Sequence, residues 1–202
     1  MLCRTLTVSL VLLPALAATV QADDKEKAAV AAIETLGGSV RKIAANTEDQ
    51  EVQFYLSDKE ITDEALKHVP DVSNVVWLNL RGTKITDAGL VHLKELDTLT
   101  RLHLERTGIG DAALPHLAGL GNLEYLNLYG TQVTDAGLAH LQGLKKLKKL
   151  YLWQTKVTPD GAKKLQASLS ELEIVLGLDL TPATPPQEEP AKPEPPKEEP
   201  KK

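Results

Sequence analysis

Cysteine is nearly absent from this chain: Cys3 is the only one in 202 residues. Disulfide staples are thereby excluded, and so is a zinc site built on paired cysteines. Aromatic side chains are almost as scarce, with one Phe, two Trp and four Tyr. So few rings cannot fill an ordinary core, and leucine has to do the packing. The longest apolar run, Leu6 to Ala18, is interrupted by Pro14 and falls short of the ~20 residues that a membrane span requires. No Ser/His/Asp grouping or glycine-rich phosphate loop is present either. The residues point away from an enzyme, and no cofactor or metal is expected.

What the chain has instead is repetition. Leu78, Leu102, Leu126 and Leu150 are 24 residues apart, and the same interval links Leu80, Leu104, Leu128 and Leu152. Thr83, Thr107, Thr131 and Thr155 form a third column, and Ile85, Ile109, Val133 and Val157 a fourth. Within each copy the spacing L-x-x-L-x-L-x-x-T-x-I passes from period two into G-L-x-x-L-x-x-L, which predicts a short strand followed by a helix. One unit cannot bury its apolar side alone, whereas stacked copies can. The predicted architecture is an α/β solenoid with parallel strands on the concave face and helices on the convex face. Thr62, Thr86, Thr134 and Thr158 are placed to cap the helices, with Pro159 in a first turn. Gly110 replaces threonine in the third repeat, at an expected cost of up to about 1 kcal/mol to that helix start.

These columns resemble the leucine-rich repeat family, and the segments Thr86–Leu90, Gly110–Leu114 and Thr134–Leu138 resemble its ITDxGL-bearing branch. The likeness covers about half of the chain. Threonine stands in the column where the family usually has Asn or Cys, and a threonine hydroxyl can still serve loop backbone groups. The resemblance implies a concave binding surface and no reaction. Exported animal members usually close their ends with disulfide caps, which this chain cannot do, so the likeness is to a bacterial exported type.

The two ends differ from the repeats. Residues 1–22 carry Arg4, the apolar run and the small-residue pattern Val20-Gln21-Ala22, which predicts a signal peptide cut after Ala22, or alternatively after Ala17. Export to a periplasmic or secreted location is expected. Residues 23–50 are predicted as an N-terminal cap: a helix over Asp24–Leu36, stopped by Gly37-Gly38, then a hairpin around Asn46–Gln50 that covers the first edge of the solenoid. Residues 51–180 form the repeat domain, with Phe54, Leu56, Ile61, Leu66 and Val69 in a degenerate first repeat. Ile174 and Leu176 are expected to continue the columns. Residues 181–202 are rich in Pro, Glu and Lys and are predicted to be a disordered, extended tail.

Strand alternation nominates the outward side chains. Equal spacing gives Gln53, Trp77, Arg101, Tyr125, Lys149 and Glu173 as a first column, and Tyr55, Asn79, His103, Asn127, Tyr151 and Val175 as a second. The third is Ser57, Arg81, Glu105, Tyr129, Trp153 and Gly177. Every Trp and Tyr falls in these columns, while Phe54 falls in the core. Cross-strand stacking accounts for part of this, since aromatics favour strands and each pair contributes about 0.2–1 kcal/mol. Arg101 and Lys149 are expected to place cations over Tyr125. The candidate ligand-binding residues are Trp77, Arg101, His103, Tyr125, Tyr129, Tyr151 and Trp153, expected to form a nearly continuous aromatic surface for a protein or, as the alternative, a glycan, with no nucleic acid. The competing readings are a structural envelope component spaced by its tail and, remotely, a ubiquitin-ligase-type adaptor.

Three other columns read as structural. His68, His92, His116 and His140 lie on the helical side, where neighbours about 8–10 Å apart are too distant to share a zinc that needs nitrogens ~2 Å away. Asp63, Asp87, Asp111 and Asp135 suit helix N-termini. The lysines Lys145, Lys146, Lys148, Lys149, Lys156, Lys163 and Lys164 give the last repeat a basic end, which is as consistent with a solvated face as with an anionic partner.

Overall fold

The computed structural model describes residues 13–177, with side chains from Asp23 onward. The expected tail, 181–202, and residues 1–12 of the expected signal peptide lie outside the described residues. Helix α1 (Leu13–Thr35) leads into a seven-stranded sheet in simple chain order. Its strands are β1 (Ser39–Lys42), β2 (Gln50–Gln53), β3 (Val75–Asn79), β4 (Arg101–His103), β5 (Tyr125–Asn127), β6 (Lys149–Tyr151) and β7 (Glu173–Val175). β1 pairs antiparallel with β2, and every later pair is parallel. The register puts Leu78, Leu102, Leu126, Leu150 and Ile174 side by side, as equal spacing requires. Leu78, Leu80, Leu102, Leu104, Leu126, Leu128 and Leu150 have no exposed surface.

The convex side departs from the expected helices. Its segments are mostly 3₁₀ turns, at Asp63–Asp71, Gly89–Leu93, Asp111–Ala113 and Ala139–Leu141, with one-turn α-helices α2 (Leu114–Leu117) and α3 (Asp135–Leu138). The reason is in the leucine spacing. Leu90, Leu93, Leu96, Leu99 and Leu102 recur every third residue and all are buried. An α-helix, at 3.6 residues per turn, would carry such a series around its axis, whereas three residues per turn keep it facing the core. The i→i−3 bonds confirm the tight winding: Leu96 N–H donates to Leu93 O at 3.0 Å and Leu99 N–H to Leu96 O at 3.1 Å. Only the last repeat changes spacing, to Ala162, Leu165, Leu169 and Leu172, and there a ten-residue α-helix forms, α4 (Pro159–Ser168).

Each residue of the threonine column closes the turn after its strand. Thr83, Thr107, Thr131 and Thr155 donate their hydroxyls to the carbonyls of Leu80, Leu104, Leu128 and Leu152 at 2.6–2.7 Å. The aspartate column couples repeats. The Asp63 carboxylate accepts from the backbone N–H and hydroxyl of Thr86 at 2.8 and 2.6 Å; Asp111 does the same with Thr134, and Asp135 with Thr158. Asp87 reaches only the N–H of Gly110, at 2.6 Å, because glycine has no hydroxyl. The capping expectation holds for Thr134 and Thr158, which accept from Ala136 and Gly161. Thr62 makes no side-chain cap bond, and Thr86, three residues before its 3₁₀ turn, is committed to Asp63.

Helix α1 and the β1–β2 hairpin pack against the first repeat, with Ile33 and Phe54 buried. The hairpin's register differs from equal spacing. Val52 lies beside Leu78 and Gln53 beside Asn79, a 26-residue offset with an irregularity at Gln50/Glu51. Glu51 thus heads the first outward column and Gln53 the second. Leu56, expected in the core, is 74% exposed, and Leu176 is exposed as well.

Candidate binding face

The outward columns of β3 to β7 bring the rings together in two groups. In the first, a diagonal stack runs from Trp77 to His103 at 5.8 Å between centroids, to Tyr125 at 4.8 Å and to Tyr151 at 5.4 Å. In the second, Tyr129 stacks on Trp153 at 5.1 Å. Rings at these separations are in the attractive offset range, so each strand's ring supports its neighbour's. The two groups meet at a concavity of 520 Å³ lined by Tyr129, Tyr151, Trp153, Asn127, Glu105 and Arg106, with Arg81, Val175 and Gly177 at its margin. Gly177 has a reason to lack a side chain: its φ is +136°, and a Cβ would press on the Trp153 indole.

The cations do not sit where spacing suggested. Arg101 lies over Trp77, 5.5 Å from the ring centroid, and not over Tyr125. Lys149 is drawn to Glu173 at 3.3 Å. Arg106 covers the free face of Tyr129 at 5.2 Å and donates to the Tyr129 hydroxyl at 3.0 Å. The faces of Tyr129 are therefore occupied on both sides, and the concavity is presented with ring edges and hydroxyls. Trp77, Tyr125, Tyr129 and Tyr151 are half-buried, whereas Trp153 is 44% exposed. Burial raises the Tyr125 phenol above its ordinary pKa, with an opposing contribution from the Asn127 amide that donates to its oxygen.

Two polar groups missing from the candidate set stand inside it. Glu105 is buried, takes His103 Nδ1 at 2.9 Å on one oxygen, and leaves Oε2 without a partner. Asn127 bonds Tyr125 and accepts from the Tyr129 N–H at 3.1 Å, fixing the strand end between the two aromatic groups. Both lie in the second and third outward columns, so position was legible, but nothing in the spacing distinguishes a carboxylate turned inward from one in solvent. Among the described residues there is no cluster of three or more His, Cys, Asp or Glu side chains that could hold a metal ion. Several lysines of the last repeat have structural partners: Lys148 pairs with Glu124 at 2.9 Å, and Lys146 donates to Asn122 at 2.6 Å. Among the described residues no helix is long and apolar enough to cross a membrane.

A 24-residue unit, its leucine columns and a parallel ladder along one face make the fold a leucine-rich repeat solenoid. No family model matches the sequence, and no curated protein does. Solved structures similar to this chain include an internalin of Listeria monocytogenes, 26% identical over 58% of this chain and 32% of its own length, with a TM-score of 0.48. An internalin C2 of the same organism is 23% identical over 59% of this chain and 68% of its own, with a TM-score of 0.40. A leucine-rich repeat protein of Leptospira interrogans is 22% identical over 54% and 33%, also with a TM-score of 0.40. The chain spans about a third of the length of the first of these. Its class rests on its own repeats and ladder.

Proposed function

We propose that the chain is an exported, non-enzymatic recognition module that binds a protein partner through the concave face of its sheet. The observation that carries this reading is the gathering of scarce side chains: all six Trp and Tyr residues belong to outward columns, while leucine fills the core. Tyrosine, tryptophan and arginine dominate interface energies because they combine large contact area with polar reach. An aromatic centre rimmed by Arg81, Arg101 and Arg106 has the anatomy of a specific interface. The concavity, at 520 Å³, also falls within the ~300–1,000 Å³ range of small-ligand sites, and it is this that keeps a glycan as the second candidate. Export is supported by the sequence of residues 1–22.

The test is a pair of substitutions. Trp153→Ala with Tyr129→Ala is expected to weaken partner binding by more than about 2 kcal/mol, measured by calorimetry with a captured partner. His116→Ala, on the convex side, is expected to leave it unchanged. A partner that binds the aromatic double variant as tightly as the parent, yet loses affinity to convex-side changes, would overturn the reading.

A further inference from the structure

Arginine is unevenly distributed over this chain. It has five arginines against eighteen lysines, and three of the five, Arg81, Arg101 and Arg106, stand on or beside the concave face. Among the described residues none of these three is within ion-pair distance of a carboxylate. The acidic groups of the same face are already engaged: Glu173 by Lys149 at 3.3 Å, Glu51 by Arg41 at 3.8 Å, and Glu105 by His103 at 2.9 Å. In a protein of net charge −5, the uncompensated charge of this face is positive.

Arg106 adds a second line of argument. It occupies the left-handed region, with φ 54°, at a position where the preceding and following repeats use glycine, Gly82 at φ 72° and Gly130 at φ 69°. A side chain there is disfavoured relative to glycine, and such residues gather at binding sites where the side chain is needed. The turn tolerates non-glycine residues elsewhere, since Gln154 shares the conformation, but only Arg106 lines the concavity. Its guanidinium is held in place over Tyr129 and by the Tyr129 hydroxyl. A planar guanidinium so oriented matches a carboxylate by two parallel N–H donors, which a lysine cannot do.

Resting on the concave-face reading above, we infer that the partner presents an acidic, extended segment to this face. Its Asp or Glu side chains meet Arg81 and Arg106, while an apolar side chain enters the concavity against Tyr151, Trp153 and Val175. Glu105 lines the same concavity, and its single negative charge is outnumbered by the three guanidinium groups of Arg81, Arg101 and Arg106, which leaves the face positive.

The experiment selects phage-displayed random dodecapeptides on the immobilised full-length protein and measures the enriched peptides by fluorescence anisotropy. Enriched peptides are expected to carry net negative charge and to bind more weakly as salt rises from about 50 to 200 mM. Arg81→Gln and Arg106→Gly are each expected to weaken that binding about tenfold or more, the scale of a hydrogen bond to a charged group. Arg106→Gly should melt at or above the parent temperature, which a merely structural arginine would not allow. Enrichment of neutral or basic peptides, no enrichment, or indifference to both substitutions overturns the inference. If basic peptides are enriched and lose affinity on Trp153→Ala with Tyr129→Ala, the concave face stands and only the acidic assignment falls. If binding ignores those rings and responds to Lys163→Gln with Lys164→Gln on α4, the concave-face reading falls too. If an oligogalacturonate binds and no peptide does, the occupant is an acidic glycan and the protein assignment is wrong.

Discussion

At the residue scale, the most instructive contacts are those in which a glycine makes room for a carboxylate. A Cβ at Gly137 would collide with the Asp111 carboxylate and come within 2.7 Å of a Leu114 methyl; at Gly161 it would collide with Asp135. The third repeat differs from the second, fourth and fifth twice over: Gly110 removes the hydroxyl that would hold Asp87, and Ala113 stands where those three have Gly89, Gly137 and Gly161. A carboxylate held by one bond has more freedom to yield to a methyl group than one held by two. We predict that Gly137→Ala destabilises the protein by about 1–3 kcal/mol, as overpacking does, although alanine is the better helix former. In a Thr134→Gly background the same change should cost less, and a double-mutant cycle by urea denaturation measures the difference. Additive costs would mean that Gly110 and Ala113 are unrelated. Column arithmetic shows that these residues are neighbours, but it does not show that Asp63 reaches forward to the next threonine, or that Arg101 chooses Trp77 over Tyr125. Both are decided by side-chain torsions, which spacing leaves open.

At the element scale, the strands were legible and their partners were not uniformly so. Leucine columns fix the register from β3 to β7, because a one-residue slip would turn the buried set outward. The two-residue insertion near β2 leaves no mark in the spacing, because no leucine column reaches that far and Phe54 and Leu56 are both apolar at alternate positions. The 3₁₀ winding is present in the sequence as strict period three, but a single L-x-x-L spacing also fits an α-helix and does not separate the two. The β1–β2 hairpin is tied to α1 by a clasp that spacing does not reveal. Glu26 of α1 accepts from the Ser73 hydroxyl at 2.7 Å and the Gln50 amide at 2.6 Å, tying the helix to β2 and to the approach to β3. Burial alone would raise the Glu26 pKa, but the hydrogen bonds from Ser73 and Gln50 together outweigh it and leave the group below its ordinary value of 4.5. A carboxylate whose folded pKa is depressed contributes stability that is present above its unfolded pKa and lost as pH falls through the folded one. The thermal midpoint should therefore fall as pH drops from about 5 to 3, and Glu26→Gln should flatten part of that fall. An identical slope in the variant would show that other carboxylates, such as Asp135 with its bonds from Thr158, carry the whole effect.

At the scale of the whole molecule, stability is a sum over repeats and the contacts between neighbours. Leu126 is fully buried at the middle of the ladder and pairs with Leu102 on one side and Leu150 on the other. Leu126→Ala is expected to cost about 2–5 kcal/mol by urea denaturation followed by circular dichroism. A cost below 1 kcal/mol would mean that the core collapses around the gap. That the seven candidate residues face outward follows from alternation, as the ladder does from the leucine columns. Their division into two stacks around a concavity does not, since it depends on which way each ring leans.

The missing hydroxyl at Gly110 bears on how the molecule comes apart. Every other aspartate grips the following repeat at two points, and this one at a single point, so the array has a fault line between its second and third repeats. Strain applied along the solenoid, by heat or by a pulling partner, would open there first, leaving α1, the β1–β2 hairpin and β3 on one side. Trp77 would then be parted from His103, Tyr125 and Tyr151, and Arg81 from Arg106. The outward face would divide at that seam before any repeat had unravelled.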